Sequence, residues 1–375
     1  MANKNNSLGA AKAAKNDEFY TQYEDIEKEM NAYLEYDENV FRDKTVLLPC
    51  DDPEWSNFTK YFAQNFERFG LKKLISTSYA PESKKIKAWE PTLFETEAPQ
   101  YDEDKSKTHG KIFILDSDTN GSGRIDVNDL RWEYLEGDGD FRSEEVTKLR
   151  DEADIVITNP PFSLFREFLA WIMEKKKKFI IFGNQGASAY SEVFPLIQKN
   201  LIWKGVHYGD FKFTVPANYE IRETRSWIDE NGINWRSLGN ACWFTNIEHG
   251  RRHQPLQLMT MADNIKYSKH KEIKGRQYIR YVNYDAIEVP FYDSIPSDYD
   301  GAMAVPITFL DKYCPEQFVI IGHPHGDEGV ALGLRPFDRK LKSLNKGLRD
   351  GDLYYFDENG IPVIPYSRIL IRHKK

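Results

Sequence analysis

The chain has 375 residues and a formal net charge of −8, and 40% of its residues are hydrophobic and 14% aromatic. This composition is typical of a folded globular protein with two domains, or with one large domain and an embedded lobe, and it excludes a disordered chain. No apolar run approaches the roughly 18 residues of a membrane span, and the N-terminal residues lack an apolar signal core. The three cysteines have no metal or disulfide spacing. We therefore expect a cytoplasmic protein with reduced thiols and with neither a membrane partner nor a metal.

Strand and helix patterns alternate after a small, polar segment, residues 1–15, which we expect to be a flexible arm. The apolar run Val46–Leu48 predicts a buried strand. The aromatic residues that follow it, Phe58 to Phe69, recur at helical spacing and end at Gly70, which is a typical helix stop. The segment "LKKLISTSY" then predicts a second strand.

A turn-rich segment lies between "KIFIL" and "RWEYL", and the two flanks predict a β-hairpin. The intervening residues 118–130, "DTNGSGRIDVNDL", also match the ligand positions of a calcium-binding loop. Such a loop requires an entering helix and usually ends in Glu, whereas this one follows a strand pattern and ends in Asp129. We therefore favour a hairpin turn over a calcium site. The histidines of "GHPHGDEG" (322–329) lack further ligands at metal spacing and predict a surface loop.

The β-branched run Ile155–Thr158 predicts another buried strand, followed by a helix that we expect Ser163 to cap. "KFIIFGN" (178–184) predicts a further short buried strand. Because strands alternate with helices, we predict an α/β fold with a parallel sheet covered by helices on both faces, over residues 16–215. After about Ile202 the pattern changes to short aromatic-rich strands. We predict a less regular second lobe over residues 216–375, from which strands can return to the core sheet.

Four residues, Asn159-Pro160-Pro161-Phe162, follow the carboxyl end of that strand, where open α/β sheets bind ligands. The prolines hold a rigid turn without N–H donors, so acceptor oxygens dominate. The Asn159 side-chain carbonyl and the Pro160 backbone carbonyl are then placed to accept hydrogen bonds from one amino group, and Phe162 to stack on a planar ring. Two acceptors favour a pyramidal nitrogen whose lone pair can attack an electrophile, which suits an exocyclic amine. The alternative, a plain strand terminator with a core phenylalanine, is less favoured.

Several blocks of the sequence together resemble the EcoRI-type adenine-N6 DNA methyltransferase family, and the tetrapeptide resembles the catalytic motif of amino-methylating enzymes in general. They occur in the family's order and cover most of the chain except the arm and the segments at about 81–125 and 325–360. The blocks are "DEFYTQY" (17–23), "CDDPEWSNFTKYFAQNF" (50–66), "EGDGDFRS" (136–143), "DIVITNPPFSLF" (154–165), "WKGVH" (203–207), "NACWFTN" (240–246) and "VPITFLDKYCPEQF" (305–318).

The resemblance implies a Rossmann-like methyltransferase sheet, S-adenosylmethionine as the cofactor, and a C-terminal target-recognition lobe. It assigns Asn159, Pro160, Pro161 and Phe162 to an adenine flipped out of double-stranded DNA, since a paired adenine keeps its amino group inside the stack. It assigns a second set of residues to the cofactor: Phe19, Tyr20, Thr21, Cys50, Asp51, Asp52, Asp140 and Phe141. For Asp51 and Asp52, a polar turn after a strand is the alternative. The usual glycine-rich loop is absent after the first strand, and the first acidic residue after the second strand is Glu82, so the ribose-binding residue stays open.

The basic residues are concentrated in two segments, which favour DNA as a partner despite the net negative charge. Residues 249–281 contain eight Lys or Arg against two acidic residues, and residues 335–349 contain six against one. A solvated face is the alternative. With the family resemblance, we predict phosphate contacts from the first segment, through Arg251, Arg252, Lys269, Lys271, Lys274 and Arg276.

The sequence therefore predicts a site-specific adenine-N6 DNA methyltransferase. It is either the modification enzyme of a restriction system or an orphan methyltransferase without a partner nuclease. Two other classes remain open at this stage. One is an RNA or protein-glutamine methyltransferase that shares the tetrapeptide, and the other is a DNA-binding homologue without catalysis.

Overall fold

The computed structural model describes residues 20–51, 56–80, 93–215 and 223–374, with the side chains of Leu93 and Phe94 excepted. The flexible arm predicted at residues 1–15 and the predicted site residues Phe19, Asp52 and Glu82 lie outside these ranges. The strands within them are β1 (Tyr20–Thr21), β2 (Thr45–Leu48), β3 (Lys73–Thr77), β4 (Lys111–Leu115), β5 (Arg131–Tyr134), β6 (Ile155–Thr158), β7 (Lys178–Asn184), β8 (Trp203–Thr214), β9 (Ser226–Ile228), β10 (Asn234–Thr245), β11 (Ala286–Glu288), β12 (Ala302–Pro306), β13 (Phe318–Gly322), β14 (Tyr355–Phe356), β15 (Pro362–Val363) and β16 (Arg368–His373).

The helices of the same ranges are mostly short, and several 3-10 turns supplement them. They are α1 (Tyr23–Tyr36), α2 (Asn57–Gln64), α3 (Phe66–Phe69), α4 (Leu93–Thr96), α5 (Glu103–Thr108), α6 (Glu144–Glu152), α7 (Phe165–Glu174), α8 (Phe194–Gln198), α9 (Met261–Tyr267) and α10 (Gly326–Ala331). No helix in the described ranges is long and apolar enough to cross a membrane.

A ten-stranded sheet dominates the described residues, in the order β1-β8-β10-β7-β6-β2-β3-β4-β5, with β9 paired to β10. The four central strands, β7, β6, β2 and β3, are parallel, as their largely buried apolar sequences predict. β4 and β5 form the predicted antiparallel hairpin, and β10 and β1 also pair antiparallel with their neighbours. The predicted α/β class is therefore confirmed, and the predicted parallel sheet is the centre of a larger mixed sheet.

Two predictions about local structure were wrong. The strands after Ile202 are not all short, because β8 and β10 each have 12 residues. The place of β10 in the main sheet agrees with the expected return of strands to the core sheet. Ser163 does not cap the helix after the Asn-Pro-Pro-Phe motif. A 3-10 turn at Phe162–Leu164 comes first, and α7 begins at Phe165 without a side-chain cap.

The chain divides into two compact units, and the division does not follow the predicted boundary at residue 215. The first unit contains the described residues up to Ala187 together with Lys204–His249, so the strands β8, β9 and β10 belong almost wholly to it. The second contains Ser188–Trp203 and the described residues from Gly250 onward. Within the second unit, β11, β12, β16 and β13 form a separate four-stranded sheet.

Aromatic residues supply much of the core of the first unit. Phe182 on β7 contacts Phe211, Phe213 and Trp243 with ring centroids 4.8–5.4 Å apart, nearly perpendicular in each pair. Edge-to-face contacts of this kind add to the stabilisation that comes from burying the ring area itself. They pack β8 and β10, the strands that return to the main sheet after residue 202, against β7. β7 is the neighbour of β6, the strand that precedes the Asn-Pro-Pro-Phe motif.

Glu29 holds α1 against β8 from a fully buried position. Its carboxylate accepts hydrogen bonds from the backbone N–H groups of Val206 and His207, at 2.9 and 2.8 Å, and from the hydroxyl of Tyr33 at 2.9 Å. A Cβ at Gly205 would lie 2.2 Å from Glu29 Oε1, so the strand requires glycine there. The buried carboxylate is stabilised because several donors replace the water it has lost.

We expect Glu29→Ala to lower the free energy of unfolding by about 2–4 kcal/mol, because two backbone N–H groups and a buried tyrosine lose a charged acceptor. Urea denaturation monitored by tryptophan fluorescence measures the change. Glu24→Ala is the matched control, since Glu24 lies on the same helix and is exposed. Its expected effect is within about 0.5 kcal/mol. Equal denaturation midpoints for the two variants would contradict this role of Glu29.

Candidate active site

Several of the predicted catalytic and cofactor residues that the structure describes lie at the carboxyl edge of the parallel strands in the first unit. β2 ends at Leu48 and leads to Cys50 and Asp51, and β6, its neighbour, ends at Thr158 and leads to Asn159. The loop before α6 joins the same edge, because Ala80, which follows β3, donates its N–H to the Asp138 carbonyl at 2.8 Å. Gly139 in this loop has a φ of +79°, and a Cβ there would lie 2.1 Å from the Ser78 carbonyl oxygen. Only glycine permits this close approach.

Asp51 connects the ends of three strands through its carboxylate and backbone. The Thr158 hydroxyl donates to one carboxylate oxygen at 2.6 Å, and the Ser56 hydroxyl to the other at 2.8 Å. Its N–H donates to the Thr77 carbonyl at 3.1 Å, and its own carbonyl accepts from the Ser76 hydroxyl. Asp51 is only 6% exposed. Its carboxylate therefore fixes the strand ends, a structural role that the sequence did not indicate.

The side chain of Asn159 is oriented by Thr21. Asn159 Nδ2 donates to Thr21 Oγ1 at 3.1 Å, although the two residues are 138 positions apart. Thr21 is held in place because β1 pairs with β8 and because Asn57 Nδ2 donates to the Thr21 carbonyl at 2.9 Å. With its nitrogen directed at Thr21, the amide points its acceptor, Oδ1, to the opposite side of the planar group.

The rest of the motif is rigid and partly accessible. Pro160 is buried, and Pro161 has an extended backbone, with φ −53° and ψ 124°, that leads into the 3-10 turn. The half-buried ring of Phe162 stacks on Phe182 at 6.1 Å, with 21° between the planes. The turn thus holds Phe162 parallel to a core ring at the same edge as Asn159.

Asp140 and Phe141 take different environments. Asp140 is paired with Arg142, at 2.6 Å between Oδ2 and a guanidinium nitrogen, and this pairing raises the pKa of the Arg142 guanidinium. Phe141 is buried beside α7, with ring centroids 5.0 Å from Phe168 and 5.5 Å from Trp171. The structure therefore places Phe141, which the family resemblance assigned to the cofactor, in the packing of α7.

The predicted DNA-contact residues lie in the second unit, and four of the six are exposed: Lys269, Lys271, Lys274 and Arg276. The loop that carries them is fixed from beneath by buried Ile273 and Tyr278, whose hydroxyl donates to the Ser294 carbonyl at 2.6 Å. Arg251 is half-buried. Arg252 differs, because its buried guanidinium lies 3.7 Å from the centre of the Trp203 ring and donates to Asn200. We therefore remove Arg252 from the proposed phosphate contacts.

The two segments considered as metal sites are satisfied by other partners. In the β4–β5 turn, the Asp118 carboxylate accepts from the N–H groups of Gly121, Ser122 and Gly123, and that of Asp129 from Thr119, Asn120 and Asp126. In the second unit, burial lowers the pKa of His323 to about 4. Within the described ranges, no cluster of three or more His, Cys, Asp or Glu residues has metal-binding geometry.

A Rossmann-like sheet with Asn-Pro-Pro-Phe at the carboxyl edge defines an amino-methylating transferase as the class of protein. The comparisons with known proteins specify the family. The profile of the family described as "Adenine-specific methyltransferase EcoRI" matches residues 7–374. The chain belongs to this family and is an adenine-specific DNA methyltransferase.

Two curated relatives are similar in sequence to this chain over most of its length. The chain is 40% identical to the Type II methyltransferase M.EcoRI of Escherichia coli, over 99% of this chain and 97% of that protein. It is 32% identical to the Type II methyltransferase M.MpnI of Mycoplasma pneumoniae, over 83% of both chains. No solved structure matches the chain with comparable significance.

Proposed function

We propose that this protein transfers a methyl group from S-adenosylmethionine to N6 of an adenine that is flipped out of double-stranded DNA at a specific sequence. The observation that carries the proposal is the placement of Asn159–Phe162 at the carboxyl edge, with the Asn159 amide oriented by Thr21. Asn159 Oδ1 and the Pro160 carbonyl accept hydrogen bonds from the adenine amino group, and the Phe162 ring stacks on the base. These contacts hold the nitrogen pyramidal and in line for transfer.

The same edge of the sheet is proposed to hold the cofactor. Tyr20 and Thr21 on β1, Cys50 and Asp51 after β2, and Asp140 after the Gly139 turn are brought together there by the backbone contacts described above. These residues would hold S-adenosylmethionine, which supplies an electrophilic methyl group when bound. The Asp51 carboxylate also accepts two hydroxyl hydrogen bonds, so it fixes the strand ends that form the binding edge. Phe19 and Asp52 remain further candidates from the sequence.

The second unit is proposed to bind the DNA duplex and recognise its sequence, while the first carries out transfer. Phosphate contacts through Lys269, Lys271, Lys274 and Arg276 would offset the cost of extruding the adenine, which is a few kcal/mol. A cognate restriction endonuclease, where one exists, would share the recognition sequence without binding this protein.

The proposal is tested by methyl transfer from labelled S-adenosylmethionine to unmethylated plasmid DNA, followed by digestion to nucleosides. We expect label in N6-methyldeoxyadenosine and at least about a hundredfold lower rate for Asn159→Ala, because the transition state loses a preorganised acceptor. Asn128→Ala, in the exposed β4–β5 turn, is the matched control and should keep the wild-type rate. Label that appears only in RNA or protein substrates would replace the DNA proposal, and cofactor binding without any transfer would indicate a non-catalytic homologue.

Thr21→Val is expected to lower kcat about 5- to 30-fold, because the amide of Asn159 loses the hydrogen bond that fixes its orientation, worth about 1–2 kcal/mol. Thr21→Ser keeps the hydroxyl and should restore most of the rate. Single-turnover kinetics at saturating cofactor and DNA measure the effect, and equilibrium binding measures both affinities separately. Equal rates for the Val and Ser variants would show that the hydrogen bond does not position Asn159.

Lys271→Ala and Lys274→Ala should each weaken DNA binding to a similar degree at every sequence and lower the slope of log Kd against log salt by about 0.9. Fluorescence anisotropy of a labelled duplex at several salt concentrations measures both quantities. Lys148→Ala is the control, because Lys148 is exposed and forms a salt bridge with Glu144 on α6. An unchanged salt slope for both variants would leave the basic loop as a solvated face.

A further inference from the structure

The β9–β10 hairpin of the first unit carries two stacked tryptophans, exposed Trp227 and half-buried Trp235, that the methyl-transfer site does not use. Trp227 and Trp235 lie directly opposite each other across the two strands. Their rings are stacked, with centroids 6.1 Å apart and only 5° between the planes. Trp227 is 37% exposed, and its apolar neighbours Ile228 and Ile233 are 54% and 43% exposed. An apolar cluster of this size on a projecting turn is typical of an interaction site.

The hairpin is rigid, because Asp229 fastens its turn. Asp229 Oδ2 accepts from Trp235 Nε1 at 2.9 Å, and Oδ1 accepts from the N–H groups of Asn231 and Ile233, also at 2.9 Å. These three donors lower the pKa of the carboxyl group, so Asp229 stays ionised and its charge is used within the turn. The tryptophans are therefore held in place before any partner binds, which reduces the entropy lost on binding.

The register of the sheet places this hairpin on the substrate side. β10 runs antiparallel to β7, and Ala241 pairs with Asn184, the last residue of β7. The residues of β10 before Ala241 therefore extend past the carboxyl edge, the edge at which Asn159 lies. From Ala241 to Trp235 the strand covers about 20 Å, at roughly 3.3 Å per residue. That distance corresponds to about six base pairs of duplex.

We propose that the β9–β10 hairpin is a DNA-contact element, in which Trp227, Trp235 and the flanking isoleucines contact the duplex within about six base pairs of the target adenine. The inference rests on the proposed function, since it assumes that the target base lies at Asn159. Flat, rigid indoles suit sugar faces, thymine methyl groups and unstacked bases, all of which a duplex exposes when it is bent or opened. The contact is apolar and therefore depends less on salt than the contacts of the basic loop.

The test is the affinity of the full chain for duplexes that contain the target sequence and differ in flanking length. Flanks of two and of ten base pairs are compared on each side, at a salt concentration that weakens phosphate contacts. We expect the wild type to bind the long duplex about tenfold or more tightly than a duplex shortened on one side, and Trp227→Ala to lose this difference. Trp227→Phe should retain part of it. Tyr36→Ala is the matched control. Tyr36 is also an exposed aromatic residue, but it lies at the end of α1, just before β2 begins at the opposite, amino edge of the sheet.

The outcomes separate the hairpin from the methyl-transfer proposal. If Trp227→Ala binds and discriminates the duplexes like the wild type while both methylate DNA, the hairpin proposal is wrong and the proposed function stands. If the wild type neither binds nor methylates the duplex, both are wrong. If Trp227→Ala fails to fold, as judged by circular dichroism, the double variant Ile228→Ser with Ile233→Ser decides the question in the same assay. A dimer that Trp227→Ala converts to a monomer, with unchanged DNA affinity, would assign the hairpin to a second copy of the chain.

Discussion

The candidate active site depends on one buried carboxylate. Asp51 accepts hydroxyl hydrogen bonds from Thr158 and Ser56 at 2.6 and 2.8 Å, and its backbone contacts Thr77 and Ser76 on β3. Parallel strands end at one edge of a sheet, but pairing alone does not fix the loops that leave them. The Asp51 contacts connect the carboxyl ends of β2, β3 and β6 to one another. Asn159 therefore has a defined position, because it directly follows Thr158. A buried charge is tolerated here because hydroxyl donors replace its water.

The orientation of the Asn159 amide has a separate origin, in the edge strand β1. This strand has only two residues, yet its pairing with β8 brings the Thr21 hydroxyl to the side-chain nitrogen of Asn159. β8 is in turn held by the buried carboxylate of Glu29 and by the rings around Phe182. The return strands β8 and β10 are thus part of the active-site architecture, and this explains why the first unit includes residues as late as His249.

The sequence predicted the central strands well, because their signals are local. β6 and β7 are runs of buried β-branched and aromatic residues, and the hairpin β4–β5 has flanking strands around a turn. Contacts between residues that are distant in the sequence could not be predicted from it. The stacking of Arg252 on Trp203 removes a predicted phosphate contact, and nothing near Arg252 in the sequence indicates that ring. Ser163 has a typical capping side chain, but the backbone of Pro161 leads into a 3-10 turn that moves the start of the helix to Phe165.

The two groups of surface residues that are proposed to contact DNA differ in physical character, and the difference matters for specificity. Exposed lysines on a loop contribute a long-range, salt-dependent attraction that is nearly independent of sequence. The Trp227–Trp235 pair contributes only at short range and only where the duplex surface is complementary to a fixed shape. A contact of this second kind is strengthened when the DNA deforms to meet it, and base extrusion itself requires deformation. A rigid apolar hairpin that contacts DNA as proposed would therefore favour the distorted duplex over the regular one, and it would link duplex distortion to occupation of the proposed site at Asn159.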